Sequence, residues 1–264
     1  MAFGGVVTLL NLILAFVVGV RLLRIGLGDE RRPELALSIY FLASAFLSTV
    51  CQGIVYGGLI DPRLALDEQI SRALLGLAIL GMAVGGAAVC LFTWQTFRRD
   101  SSWARWAALA GSCLALGGFA FEAVHEGFAV RLVPGAGHWA AWLGRTAPVV
   151  WVTVESFRYW AMLRRRLCLG LADAVVVNRF LIWGIWSAAT IVNLAADPVA
   201  RVVYTTLAGT STELVMEVMR PVVIGTMGVT MILGVISAAT LFLTFFPTAA
   251  YRRWVEARAA AKAG

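Results

Sequence analysis

Seven long apolar runs dominate the chain, and they limit what it can fold into. They lie at Phe3–Val20, Leu35–Ile60, Ala73–Phe97, Trp103–Val124, Trp139–Leu163, Ala174–Ala196 and Pro221–Pro247. A bilayer-crossing helix needs about 20 mostly apolar residues, and each run comes near or exceeds that length. They are not the alternating segments of about ten residues that build a membrane β-barrel. The predicted fold is therefore all-α. A seven-helix transmembrane domain spans residues 1–250, and a basic cytoplasmic tail follows at 251–264. Composition points the same way. Of the 264 residues, 60% are hydrophobic and only 14% are charged, whereas a soluble domain carries roughly 25% charged residues. A soluble single-core protein is excluded, and so is a disordered chain. The segments between the runs are too short for a soluble domain. Any site must lie among the helices or in their loops.

Arginine placement predicts orientation, because short cytoplasmic loops collect basic residues. Arg21, Arg24, Arg31 and Arg32 follow the first run, and Arg98, Arg99 and Arg105 follow the third. Arg158, Arg164, Arg165 and Arg166 lie around the end of the fifth, Arg179 lies at the start of the sixth, and Arg252, Arg253, Arg258 and Lys262 are in the tail. The opposite side holds Arg63, Arg72, Arg131, Arg145, Arg201 and Arg220. This bias puts the amino end outside and the carboxyl end inside. The net charge of +7 is then mainly a topology signal, with some attraction to anionic headgroups. No nucleic-acid surface is expected, since these arginines flank spans. The first run follows an uncharged Met1-Ala-Phe-Gly-Gly and reads as an uncleaved first helix. Heavy arginine usage suggests a bacterial inner membrane.

Ionisable groups at membrane depth are costly and usually functional. One set lies toward the outside. Glu122 and His125 are three apart on one helical face, and Glu126 follows. His138 opens the fifth run and Arg145 lies two turns deeper. Glu213, Glu217 and Arg220 share a face ahead of the seventh run, while Gln52, Tyr56 and Asn193 sit near outer ends. If these residues converge, they line an outward-opening pocket for a small molecule or ion. His125, His138 and Glu122 would form the core of a divalent-metal set. The plainer expectation is a solvated charge cluster pairing Arg145 and Arg220. A second set lies toward the inside, where Glu155 and Arg158 are three apart and expected to form an ion pair or a switch.

Small residues let membrane helices approach closely. Gly81 and Gly85 form a G-x-x-x-G, and the sets Gly111, Gly117, Gly118 and Gly225, Gly228, Gly234 predict further crowded helices. Pro148 interrupts the fifth run and frees the carbonyl of Gly144. Trp183 and Trp186 share a face, serving either as packing or as the wall of an apolar cavity. Cys51, Cys90, Cys113 and Cys168 show no C-x-x-C pairing and read as buried, inert thiols.

Absences narrow the function. The single lysine is Lys262, in the tail, so no span offers an amine for a retinal Schiff base. There is no H-E-x-x-H, G-x-S-x-G or P-loop, and no nucleophile sits beside a base. An enzyme is not the expectation. The expected protein is a receptor-like or sensory membrane module that binds a small ligand or ion in the outer pocket. Its partners would be the lipid bilayer and a cytoplasmic or membrane protein. A transporter or ion-conducting protein and an accessory subunit of a larger membrane complex are the alternatives.

Overall fold

The computed structural model describes residues 2–28, 32–60, 62–129, 135–207 and 212–263, with the side chains of 2–4, 59–60, 62, 212–216, 223 and 260–263 outside that description. It is 91% helical and has no strand among the described residues. Helix α1 is Ala2–Gly28. Helix α2 begins as Arg32–Ile39, passes through a π-helical stretch at Tyr40–Leu47 and continues as Ser48–Ile60. Then come α3 (Glu68–Phe97), α4 (Ser102–His125), α5 (Ala136–Cys168), α6 (Ala174–Leu207), α7 (Thr212–Phe245) and α8 (Ala249–Ala263).

Six helices, α1 to α4, α6 and α7, are long and apolar enough to cross a membrane. Helix α5 has the length, at 33 residues, but is not among them. Arg145, Glu155, Arg158 and the Arg164–Arg166 cluster dilute its apolar residues. The exposed surface suits lipid. Leu9, Leu10 and Ile13 of α1 and Ile224, Met227 and Ile232 of α7 are at least half exposed. The interior instead holds small hydroxyl residues: Ser38, Ser156 and Ser187 are fully buried. The hydroxyls of Ser156 and Ser187 donate to carbonyls one turn back in their own helices. A hydroxyl satisfied in this way costs little in a medium without water.

Glycines crowd α3 and α4 against their neighbours, as expected from their spacing, and Gly144 brings α5 to the same contact. A Cβ on Gly81 would lie 2.6 Å from the Ala43 carbonyl oxygen, and one on Gly85 would collide with Ser44. The G-x-x-x-G therefore seats the π stretch of α2 and is an intramolecular contact. Gly118 abuts the Ala140 backbone and Gly144 abuts Ala115, both closer than 3 Å to a built Cβ. Pro148 is fully buried in α5, and the Gly144 carbonyl one turn earlier faces Gly86 of α3. Helix α7 corrects the expectation of crowding. Gly225 and Gly228 have nothing within 4 Å of a built Cβ, and Gly234 alone of that set meets a neighbour, Val7. Most of α7 faces outward, so Gly225 and Gly228 do not mark a seam among the described residues, whereas Gly234 marks its contact with α1. Cys113 and Cys168 are exposed, whereas Cys51 and Cys90 are buried. The expectation of buried thiols holds for two of the four.

The remaining core is aromatic. Trp183 and Trp186 pack on each other at 4.7 Å between ring centroids and against Phe41. Tyr40, Val18, Val89 and Val152 complete the cluster. These tryptophans are packing residues and line neither of the two cavities described below. Helix α8 docks on α6, where Asn178 Nδ2 donates to the Tyr251 hydroxyl at 2.5 Å. Burial raises the Tyr251 pKa, with the Asn178 hydrogen bond partly opposing it.

Candidate ligand pocket

Successive helices alternate direction, so distant segments meet at each end of the bundle. At one end the halves of α2 to α6 enclose a cavity of about 430 Å³. Its wall includes Gln52 and Tyr56 of α2, Met82 of α3, Glu122 of α4, His138, Trp142 and Arg145 of α5, and Asp197 and Arg201 of α6. Glu126 and Phe128, from the turn after α4, also face it.

The α4–α5 approach explains how Glu122 reaches this position. A Cβ on Gly137 would lie 2.8 Å from the Cα of Glu122, so only glycine lets the first turn of α5 sit so close. The Glu126 carboxylate then accepts a hydrogen bond from the Gly137 amide at 2.8 Å. A carboxylate at a helix amino end satisfies a free N–H and meets the positive end of the helix dipole. The following residue pair turns the chain. Gly127 and Phe128 both have positive φ, 59° and 57°, which a bulky residue adopts at a cost of about 1–3 kcal/mol. Packing holds Phe128 there: its ring stacks on Phe119 with centroids 5.4 Å apart and fills the space left by Gly76.

Asp197 is the hub of a second cluster. Its Oδ2 is 3.1 Å from His138 Nε2, and its Oδ1 accepts from Arg201 Nε at 2.8 Å. Arg201 also faces the Tyr56 hydroxyl. Trp142 Nε1 donates to the Leu194 carbonyl at 2.9 Å, fixing α5 against α6. Arg145 is different. Its Nη1 lies 2.8 Å from the Met82 sulfur, while its Nε is buried and has no hydrogen-bond partner.

Four of the expected pocket residues thus converge: Glu122, Glu126, His138 and Arg145, together with Gln52 and Tyr56. Others do not. His125 is exposed on α4, where its ring stacks on Phe121 and its Nδ1 is 3.0 Å from the Phe121 carbonyl. Glu217, Arg220 and Asn193 are exposed and outside the lining. Glu213 lies outside the described side chains. Residues three apart on a helix are separated by about 60° around its axis, enough for Glu122 to face inward and His125 outward. The metal set of His125, His138 and Glu122 is therefore not assembled. Among the described residues no group of three His, Cys, Asp or Glu side chains is placed to hold a metal ion.

Asp197 and Arg201 enter the site unforeseen. The sixth apolar run ends at Ala196, but α6 continues through Pro198 to Leu207. The i,i+4 spacing of Asp197 and Arg201 on a continued helix is the signal that could have found them.

At the opposite end Glu155 is buried, and its Oε1 accepts from Arg98 Nε at 2.9 Å. The expected partner, Arg158, is exposed and makes no such contact. Arg98 is the C-cap residue of α3, and its guanidinium lies over the Trp103 ring at 5.7 Å. A second cavity of about 490 Å³ opens at this end, with Arg21, Glu34, Arg179 and Arg252 in its wall. The aromatic cluster around Trp183 lies between the two ends.

Comparison with protein-family models, curated proteins and solved structures finds no match to this chain.

Proposed function

We propose that the chain is a receptor-like or sensory seven-helix integral membrane protein of a bacterial inner membrane, with its amino end outside. Helix α5 serves as the seventh span, with Arg145 facing the cavity and Glu155 the bundle instead of lipid. A small ligand enters the cavity from the outer side, and α5 carries its occupancy to the inner side. The carrying observation is the cavity of about 430 Å³ walled by charged side chains from three helices. That volume and mixed lining suit a small-molecule site. Helix α5 supports the coupling, because it bears Arg145 in the cavity and Glu155 in the ion pair at the other end, with Pro148 between them. The packed aromatic cluster between the cavities favours signalling over open conduction. The second cavity is the observation that favours a transporter instead.

Thiol labelling tests the reading. An Ala141→Cys variant places a reporter in the cavity wall, and native Cys168 reports from the far end of α5. A membrane-impermeant maleimide should label the cavity cysteine from outside and Cys168 from inside. Ligand should protect the first and change the rate at the second. Labelling of both from one face would overturn the topology. Ligand-driven flux across vesicles would favour the transporter.

A further inference from the structure

The charged residues of the cavity divide by whether the protein already satisfies them. Asp197 is engaged by His138 and Arg201, and Glu126 is engaged by the Gly137 amide. Arg145 and Glu122 remain. Among the described residues Arg145 reaches only the Met82 thioether, a weak acceptor, and its Nε has no hydrogen-bond partner. No carboxylate lies within 4 Å of its guanidinium among the described residues. Glu122 is 7% exposed, and its carboxylate makes no hydrogen bond or ion pair among the described residues. One cation and one anion, on α5 and α4, thus line the same cavity without pairing.

A charge shielded from water without a partner is expensive; Glu122 is buried, Arg145 is half-buried with its Nε fully so, and each of the two calls for its opposite. A simple anion would satisfy Arg145 and leave Glu122 unpaired. A simple cation or metal ion would satisfy Glu122 and face repulsion from Arg145. A molecule bearing both charges satisfies both. Guanidinium groups favour carboxylates through paired N–H donors, and a carboxylate accepts readily from an ammonium. Leu75, Ile79, Ala83 and Phe128 supply an apolar wall beside them.

We infer that the cavity binds a small zwitterion with an apolar body, the chemistry of a free apolar amino acid. Arg145 takes its carboxylate and Glu122 its ammonium. This inference rests on the ligand-binding reading above and specifies its ligand.

Matched probes test it on the full chain in lipid nanodiscs. L-Leucine is compared with isocaproate, which lacks the amine, and isoamylamine, which lacks the carboxylate. L-Phenylalanine is compared with hydrocinnamate and phenethylamine in the same way. At least one amino acid should bind about ten-fold or more tightly than both of its analogues, the worth of one charge-assisted contact. Glu122→Gln should erase its advantage over the acid, and Arg145→Gln its advantage over the amine. Because the analogue series is measured on the unaltered protein, it stands even if a variant fails to fold. Equal binding of each amino acid and its acid or amine, or no binding by any of them, would overturn the inference. If another chemical class then protects Ala141→Cys and shifts Cys168 reactivity, the zwitterion alone is wrong and the receptor-like reading stands. If no compound protects that cysteine, the reading falls with it.

Discussion

Glu122 and Glu155 are buried to nearly the same degree, 7% and 6% exposed, yet they sit in opposite situations. Glu155 meets Arg98 across the α3–α5 contact at 2.9 Å, in a wall of packed side chains. Glu122 faces a cavity and makes no hydrogen bond or ion pair among the described residues. Burial alone therefore does not separate a structural carboxylate from a ligand-binding one; the pairing does. A paired charge contributes to holding helices in place. An unpaired one costs stability and is retained where something else uses it.

That contrast can be broken most forcefully at the paired site. Glu155→Ala strands Arg98 and should cost about 3 kcal/mol, the low end for a broken buried pair because Arg98 keeps some exposure. Adding Arg98→Ala should cost less than the two single changes combined, as unfolding in a detergent–denaturant series would show. Equal and additive losses would mean that the pair is not coupled. The next largest effect belongs to the helix contact that builds the cavity wall. Gly118→Ala drives a methyl group into the Ala140 backbone and should cost about 2 kcal/mol. Gly225→Ala has open space and should instead stabilise by about 0.5 kcal/mol. Thermal unfolding of both variants checks the difference in sign. Glu122→Gln removes an unpaired buried charge and should raise stability by about 1 kcal/mol in ligand-free protein. A large destabilisation there would place Glu122 in the same class as Glu155. Smallest of all, His125→Ala should leave both stability and ligand affinity unchanged within error, since its ring lies outside the cavity.

Much of the helical layout was legible in the chain because apolar runs of span length have few other uses. That Glu122, Glu126, His138 and Arg145 belong to one end was also legible, since helix direction alternates; that these four share a cavity while His125 turns away was not. What hydropathy hid was helix beyond the apolar run. Asp197 looked like the start of a loop after Ala196, whereas α6 carries it into the cavity wall. The partner of Glu155 was hidden for another reason. Local spacing nominated Arg158, but the ion pair joins residues 57 positions apart, and no periodicity within α5 encodes its contact with α3. Glycine spacing was equally silent about direction. The same small residues that draw α3, α4 and α5 together lie largely unopposed on α7.

The π-helical stretch at Tyr40–Leu47 has a consequence for the two halves of α2. A π turn takes up more residues than an α turn, so it acts as a phase offset between the segments on either side. Before it ends, Tyr40 and Phe41 join the aromatic cluster; beyond it, Gln52 and Tyr56 face the cavity. Removing one residue from the stretch would turn the following segment by about 100°. It would swing both polar side chains off the wall without altering a single residue of the pocket. The address of the cavity on α2 is thus written in chain length as much as in side-chain chemistry.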